Sequence, residues 1–406
     1  MWRIRRTKSS VTYGAEFMKV FLVTGEASGD KHGAHLAMAL KRLDPGIRIY
    51  GIGGPMMREA GVMALADISG LNAFQYRYLP RLLYRGRLNR TIREYCGFLE
   101  TERPDVVVII GLADDTTYVA MRIARVTREI GIPVFYYFAP HVWIWSAKKT
   151  KRVTMAFDCI LTTFPQEERE YKEAGARTIY VGHPIIDEIA EGRRGGGFLR
   201  DDLGLGDKKA VVFFPGSRSG ELRYHLPIMG KVMQEIERCK KQDNGEETSY
   251  IISALNDRFR RKIEEYFPSG SGVHVIVGNV YDLIECADAV VTSSGTVTLE
   301  IALHEKPHVI IYRVPWITYL IGRTLLGFRY IGMPNVIMER AVVPEFLQGA
   351  IDPKKIAGIV TGILRDEEMR SSMKRSLREL KDRLGGGGAI DRAATAIVEF
   401  ARAAVR

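Results

Sequence analysis

Val291-Thr292-Ser293-Ser294-Gly295-Thr296-Val297-Thr298-Leu299-Glu300 is the stretch from which the rest of the chain is read. Before it, Ala287-Asp288-Ala289-Val290-Val291 is short and mostly apolar, as a buried strand requires. After it, Leu299, Ile301, Ala302 and Leu303 open a helical pattern that runs to Lys306-Pro307. A strand, a small-residue turn and a helix start leave backbone N–H groups free at a helix N-terminus, where the dipole favours an anion. Gly295 lets a phosphate approach the backbone, and the Ser294 and Thr296 hydroxyls can donate to it. Glu300, one turn in, suits a ribose diol better than a phosphate. An ordinary βα connection reads the same way, so the surrounding chain has to decide.

Upstream, the same alternation repeats. Lys19–Thr24, Ile47–Gly51, Asp105–Ile110, Pro133–Phe138, Ile160–Thr163 and Ile179–Val181 are buried-strand runs. Helical patterns separate them over Ala34–Leu43, Arg58–Ala60, Leu88–Glu102 and Tyr118–Ile130. After the Gly/Arg-rich segment Gly192–Gly197, the best linker candidate, a second series follows: Ala210–Phe214, Ser249–Ser253, His274–Val277, Ala289–Val291 and Val309–Tyr312, with a helix over Leu226–Lys240. Continuously apolar strands alternating with helices imply parallel sheets covered on both faces. The expected fold class is α/β, with two Rossmann-like, doubly wound domains facing a cleft and a helical C-terminal tail. The boundaries expected are 18–190, 205–365 and a tail over 366–406, which either packs back on the N-terminal domain or crosses to a partner chain and so allows a homodimer. Residues 1–17 read as a basic, disordered extension, with Met18 a candidate start.

Composition narrows the class. A 46% hydrophobic and 26% charged chain of 406 residues is an ordinary globular composition for two or three domains. A net charge of +11 suits nucleic acid, an anionic membrane surface or a phosphorylated substrate. Cys96, Cys159, Cys239 and Cys286 are widely separated and form no zinc or disulfide pattern. No apolar signal-peptide core is evident in residues 1–17, and Trp316–Tyr330, interrupted by Arg323 and Arg329, is too short and charged for a spanning helix.

Several stretches together resemble one family, the lipid-A-disaccharide synthases: Gly25-Glu26-Ala27-Ser28-Gly29-Asp30 with His32-Gly33; Gly53-Gly54-Pro55-Met56-Met57; Ala139-Pro140-His141-Val142-Trp143-Ile144-Trp145; Val181-Gly182-His183-Pro184; Pro215-Gly216-Ser217-Arg218; Ser294-Gly295-Thr296 with Leu299-Glu300; and Met333-Pro334-Asn335. The resemblance runs in register from about Met18 to the C-terminus. It implies the two-domain GT-B arrangement and transfer of a sugar from UDP-2,3-diacylglucosamine to 2,3-diacylglucosamine 1-phosphate, with release of UDP. On this reading the C-terminal domain binds UDP-diacylglucosamine and the N-terminal domain binds the acylated glucosamine phosphate.

The residues fit that chemistry in their own right. A departing diphosphate needs its charge stabilised. Arg218, after a strand and a Pro-Gly turn, can offer a bidentate cation, and the helix start at Thr296 a second positive field. No Asp-x-Asp pair is present to hold a divalent ion, so neither a metal nor a cofactor is expected. The expected donor residues are Gly216, Ser217, Arg218, Ser294, Gly295, Thr296 and, by resemblance, Glu300 and Asn335. Ser28, Gly29, Asp30 and His141 are the acceptor-side candidates, although Asp30 can equally be a helix cap, and Trp143 and Trp145 read as packing.

Two departures matter. Where the family reads Ile-Asp-x-Pro-Asp-Phe-Asn, with its proposed catalytic carboxylate first, this chain reads Ile110-Gly111-Leu112-Ala113-Asp114-Asp115-Thr116. Where the family reads Met-Gly-x-x-Glu, this chain reads Asn72-Ala73-Phe74-Gln75-Tyr76. The candidate general bases are therefore Asp114, Asp115 and Glu26, with Asp114 favoured. Phe74–Leu88 interleaves aromatic residues and leucines with Arg77, Arg81, Arg85 and Arg87. That mixture suits the interface of an anionic membrane, with Phe74, Arg77, Arg81, Leu82 and Arg85 as contacts, or else a solvated basic helix. No nucleic-acid motif accompanies it. The expected enzyme is peripheral on the cytoplasmic face of the inner membrane. A relative with another lipid or sugar acceptor, a UDP-sugar binder without a base, and, less favoured, a UDP-N-acetylglucosamine 2-epimerase are the alternatives.

Overall fold

The computed structural model of the chain describes residues 17–25, 27–67, 81–112, 117–140, 147–192, 196–243, 247–268, 270–315 and 330–405. They form two compact units, one of the described residues between 17 and 163, 167–181 and 390–405, the other of 164–166 and the described residues between 182 and 389. The Gly/Arg-rich stretch around Gly192–Gly197 lies within the second unit, and the chain crosses at Val181–Gly182.

The first unit is built on seven strands: β1 (Lys19–Val23), β2 (Arg48–Gly53), β3 (Met63–Asp67), β4 (Val106–Ile110), β5 (Val134–Tyr137), β6 (Cys159–Thr162) and β7 (Thr178–Tyr180). All pair in parallel, in the order β3-β2-β1-β4-β5-β6-β7. Val107 and Ile109 point into one apolar cluster and Val106, Val108 and Ile110 into another, because successive strand residues face opposite sides. Both faces are therefore buried, which explains why β4 is apolar without interruption.

The second of those clusters is closed by the last helix, Ala389–Val405. Its Ile390, Ala393, Ala394, Ile397, Val398 and Ala401 recur at i, i+3, i+4, i+7 and so form one apolar stripe. Phe400 meets Phe135 edge-on at 4.9 Å, and Arg392 Nε donates to the Val181 carbonyl at 2.8 Å.

The second unit carries β8 (Lys209–Phe214), β9 (Thr248–Ala254), β10 (Val273–Val277), β11 (Ala289–Ser293), β12 (His308–Tyr312) and β13 (Glu345–Leu347). These are again all parallel, in the order β10-β9-β8-β11-β12-β13. Both sheets thus have the expected doubly wound pattern, reversing between β1 and β4 and between β8 and β11.

Some elements differ from the sequence reading. The strands β3 and β13 lie at sheet edges. Met63 and Leu65 of β3 are exposed, and β13 is only half buried over three residues, so neither shows a buried-strand signature. The helix read as Arg58–Ala60 is Pro55–Glu59, with Pro55 at its first turn. The helix read as Leu88–Glu102 begins at Arg81. The helix read as Leu226–Lys240 is Ser219–Asp243 and runs through Pro227, so it starts directly after Arg218.

Candidate active site

In an open parallel sheet the crevice for a ligand lies beyond the strand ends where the strand order reverses. In the second unit that place is between β8 and β11, where Phe214 is in register with Thr292. The segments Pro215–Arg218 and Ser294–Thr296 therefore follow adjacent strands, which in a sheet lie about 4.8 Å apart.

The first segment is held by one carboxylate. Glu221 Oε2 accepts from Ser217 N at 2.8 Å and Arg218 N at 3.1 Å. It caps its own helix from the third position, the Glu half of a capping box. A side chain at Gly216, with φ +115°, would place its Cβ 2.3 Å from that oxygen. The Arg218 side chain is 73% exposed, with Nη1 3.7 Å from Glu221 Oε1. Ser217 is exposed as well. The guanidinium thus stands in solvent beside the strand end, tethered on one side.

The second segment leads into the helix Thr296–Leu303, which has Gly295 as N-cap and no side-chain cap. Gly295 and Thr296 are exposed, and a Cβ on Gly295 would meet nothing within 4 Å. The N–H groups of Thr296 and Val297 precede any intrahelical partner and suit an anion, whereas Thr298 N donates to the Gly295 carbonyl at 3.0 Å. Thr298 turns inward and donates to the Gly295 carbonyl at 2.7 Å, while Ser294 Oγ donates to the Ile331 carbonyl at 3.1 Å. Glu300 is half buried, and Tyr281 OH lies 3.5 Å from its Oε1. Burial first, then the Glu300 and Glu188 carboxylates, push the Tyr281 phenol up.

Asn335 departs from the expected ligand role. It is 1% exposed. Its Oδ1 accepts from Val342 N at 2.7 Å and Val343 N at 3.0 Å, and its Nδ2 donates to Val343 O at 2.8 Å and Glu345 Oε1 at 2.6 Å. Two acceptor sites and two N–H donors are all the amide has, so its hydrogen bonding is complete within the protein. Glu345 also accepts from Ile331 N and Gly332 N, both at 3.0 Å. Burial raises the Glu345 carboxyl, and these hydrogen bonds pull it back only in part. Asn335 and Glu345 therefore brace the backbone that receives the Ser294 hydroxyl.

In the first unit the reversal lies between β1 and β4, with Val23 opposite Ile109. Ser28 is exposed in the first turn of the helix Ala27–Leu43. Gly29 packs on the strand end, where a Cβ would fall 1.9 Å from Thr24 Oγ1. Asp30 is neither the cap of its own helix nor open to a ligand. It is 2% exposed, and its carboxylate accepts from Gly54 N at 2.7 Å, Met56 N at 3.0 Å and Met57 N at 3.1 Å. It thus caps the neighbouring helix Pro55–Glu59, which ties two of the recognisable motifs to each other.

Gly111 has φ +67°, Leu112 +55° and Phe138 +54°. Left-handed backbone is costly for Leu and Phe, and such residues concentrate at functional strand ends. Gly111 N donates to Tyr137 O and Tyr136 OH to Leu112 O, both at 2.9 Å, which holds the turn. The position that bears the family's carboxylate is left-handed here, where glycine sits without strain.

Glu26, Asp114, Asp115, His141, Phe74 and Arg77 lie outside the described residues, as does 1–16; of Arg81, Leu82 and Arg85 only the helical backbone is described. Among the described residues no group of three His, Cys, Asp or Glu is placed to hold a metal ion, and no helix is long and apolar enough to cross a membrane. Glu221 and Glu345 were not picked out from sequence. Glu221 carried a signal, a Glu three residues after the Arg218 cap position, and Glu345 carried none.

Asn335→Ala would orphan Val342 N and Val343 N, each costing about 1–3 kcal/mol if it stays dry, and would leave Glu345 Oε1 with Gly332 N as its remaining donor. The thermal unfolding midpoint of the ligand-free protein should fall by several degrees. An unchanged midpoint would return Asn335 to the role of a simple ligand.

Comparison with known proteins bears on the family and the fold. A family model described as Lipid-A-disaccharide synthetase matches residues 20–395. A protein of Syntrophus aciditrophicus named Lipid-A-disaccharide synthase is 34% identical over 382 residues, covering 92% of this chain and 96% of that one. Among solved structures, a putative UDP-N-acetylglucosamine 2-epimerase from Listeria monocytogenes aligns with TM-score 0.67 at 15% identity, over 95% of this chain and 97% of that one. MurG of Acinetobacter baumannii aligns with TM-score 0.57 at 12% identity, over 94% and 99%. These structural likenesses are of fold alone. The motifs in register, the two doubly wound sheets and the family match along nearly the whole length place this chain in the lipid-A-disaccharide synthase family.

Proposed function

We propose that the chain is an inverting glycosyltransferase that joins UDP-2,3-diacylglucosamine to 2,3-diacylglucosamine 1-phosphate. The observation that carries this reading is the pairing of an exposed Arg218 with the uncapped helix start at Gly295, on adjacent strands at the switch point of the second sheet. An acceptor hydroxyl oxygen attacks the anomeric carbon from the face opposite the diphosphate. The bond from that carbon to the phosphate oxygen breaks, its electron pair leaves on UDP, and the hydroxyl proton passes to a base. Arg218 and the first-turn N–H groups of Thr296–Leu303 receive the charge that grows on the diphosphate. Glu300 takes the ribose diol.

The base is proposed in the loop between β4 and the helix Thr117–Glu129, with Asp114 first and Asp115 and Glu26 behind it. Gly111 in place of the family carboxylate supports a second reading, in which the donor half is retained and the acceptor differs, or transfer is lost altogether. Attachment to the inner face of the inner membrane through Phe74–Leu88 belongs to the same proposal, supported by its alternation of Arg with aromatic residues and leucine.

Three measurements test this. Arg218→Ala should weaken UDP binding about tenfold to a hundredfold by calorimetry, the size of a hydrogen bond to a charged group; unchanged affinity removes Arg218 from the site. Asp114→Asn should lower turnover by about 10²–10⁴-fold with UDP affinity nearly intact. If it and the companion variants Asp115→Asn and Glu26→Gln all turn over like wild type, the base lies elsewhere. Arg77, Arg81 and Arg85 changed together to Glu should abolish co-sedimentation with anionic vesicles at low salt, since each contributes about 1 kcal/mol at such a surface; equal sedimentation would clear this segment of the role.

A further inference from the structure

His225 lies one helical turn beyond Glu221 and is fully buried, at 0% exposure. Its two ring nitrogens meet partners of opposite kind. Nδ1 is 2.8 Å from the Pro215 carbonyl oxygen, which can only accept, so Nδ1 carries the proton. Nε2 is 3.1 Å from Arg313 N, a backbone N–H that can only donate, so Nε2 is bare. One neutral tautomer satisfies both bonds, and a second proton on Nε2 would face the Arg313 N–H head-on.

The two partners stand at informative places. Pro215 follows β8, Arg313 follows β12, and β11 runs between those strands. The imidazole therefore joins the ends of two strands that flank a third, and ties together the two sides of the strand that ends in Ser294-Gly295. On one flank it fixes the carbonyl of the turn whose N–H groups Glu221 holds. Glu221 and His225, four residues apart on one helix face, pin that turn from both its polar sides.

We propose that neutral His225 is a positioning residue that sets the Pro215–Arg218 turn against the Gly295 helix start for a nucleoside diphosphate, and that its protonation releases this alignment. The inference rests on the donor-site reading above. His225 touches neither donor nor acceptor in it.

Burial holds the imidazole below its ordinary value, with the Pro215 carbonyl and Glu221 pulling the other way. Among the described residues the charged group that bears on the ring is Glu221 of its own helix, and at the end of β12 the Tyr312 ring stands 6.2 Å away. The helix Pro353–Arg365, packed on the same helix, buries Ile356, Val360 and Ile363; the helix Asp257–Tyr266 buries Phe259 and Ile263; and β11 turns Val291 to the face opposite Val290, which packs with Ile301. A depressed folded-state pKa favours the neutral form. The aligned state is therefore fully present above the ordinary imidazole pKa of about 6.5 and is lost progressively as pH falls from there through the lowered folded-state value.

The test is calorimetric titration with UDP between about pH 7.5 and 5.5, on wild type, His225→Leu, His225→Gln and Arg218→Ala. UDP itself takes up a proton in this range, so the ratio of wild-type to His225→Gln affinity is read at each pH. At the upper pH, His225→Leu should bind UDP about tenfold more weakly, the size of one or two lost hydrogen bonds. His225→Gln, whose amide can donate and accept without titrating, should recover most of that loss. Towards the lower pH the wild-type to His225→Gln ratio should fall by about tenfold. A flat ratio, together with wild-type affinity in His225→Leu while Arg218→Ala is weakened, would overturn the inference and leave the donor site standing. Wild-type affinity in Arg218→Ala as well would overturn the donor-site reading and this inference with it. If His225→Leu does not fold, the pH arm with His225→Gln decides alone.

Discussion

A parallel sheet that carries helices on both faces has to reverse its strand order, and at the reversal two neighbouring strands send their chains to opposite sides. The backbone groups at those two strand ends cannot be covered by the next element, because the next element leaves in the other direction. Both sheets meet this constraint, at β1/β4 and at β8/β11. The motifs that begin at Gly25, Pro215 and Ser294 follow strands at these two places. In the second unit the helix start at Gly295, which has no side-chain cap, and the exposed Arg218 follow adjacent strands for this reason, and not through any long-range contact.

Most of what surrounds the second crevice works to hold it. Glu221 satisfies two N–H groups of the Arg218 turn, and Ser294 is received by a backbone that Asn335 and Glu345 brace. Buried polar groups cost more when left unpaired than they gain when paired. A network of this kind is therefore better at imposing one geometry than at adding stability. That suits a site whose task is to stabilise charge as it develops on a leaving group, where donors already in place need no reorganisation.

The interior strands were legible because their burial on both faces leaves continuous apolar runs such as Val106–Ile110. The edge strands β3 and β13 were not, since an exposed or half-buried strand of three to five residues has no such run. The start of the helix Ser219–Asp243 was read seven residues late, because Pro227 looks like a helix boundary but here sits inside the helix. Within the site, residue type indicated chemistry but not direction. Asp30 and Asn335 are the polar residues a ligand would want, yet both point inward and spend their hydrogen bonds on backbone. Their partners, Met57 and Val343 among them, are close in space through the fold and give no local signal. His225 is invisible for the same reason, with one partner 88 residues away.

The two halves of the chain differ in how closely they keep the family's chemistry. On the proposed reading the donor-side motifs are intact, whereas glycine occupies the left-handed position at the end of β4 where the family carries a carboxylate. Whether that half still removes a proton from the same acceptor is the point on which the proposed reaction turns. The most direct measurement is to incubate the purified protein with UDP-2,3-diacylglucosamine and 2,3-diacylglucosamine 1-phosphate and analyse the products by mass spectrometry. Disaccharide 1-phosphate and UDP in equal amounts is the result expected. Recovery of both sugars unchanged, with UDP-diacylglucosamine bound but not consumed, would contradict it.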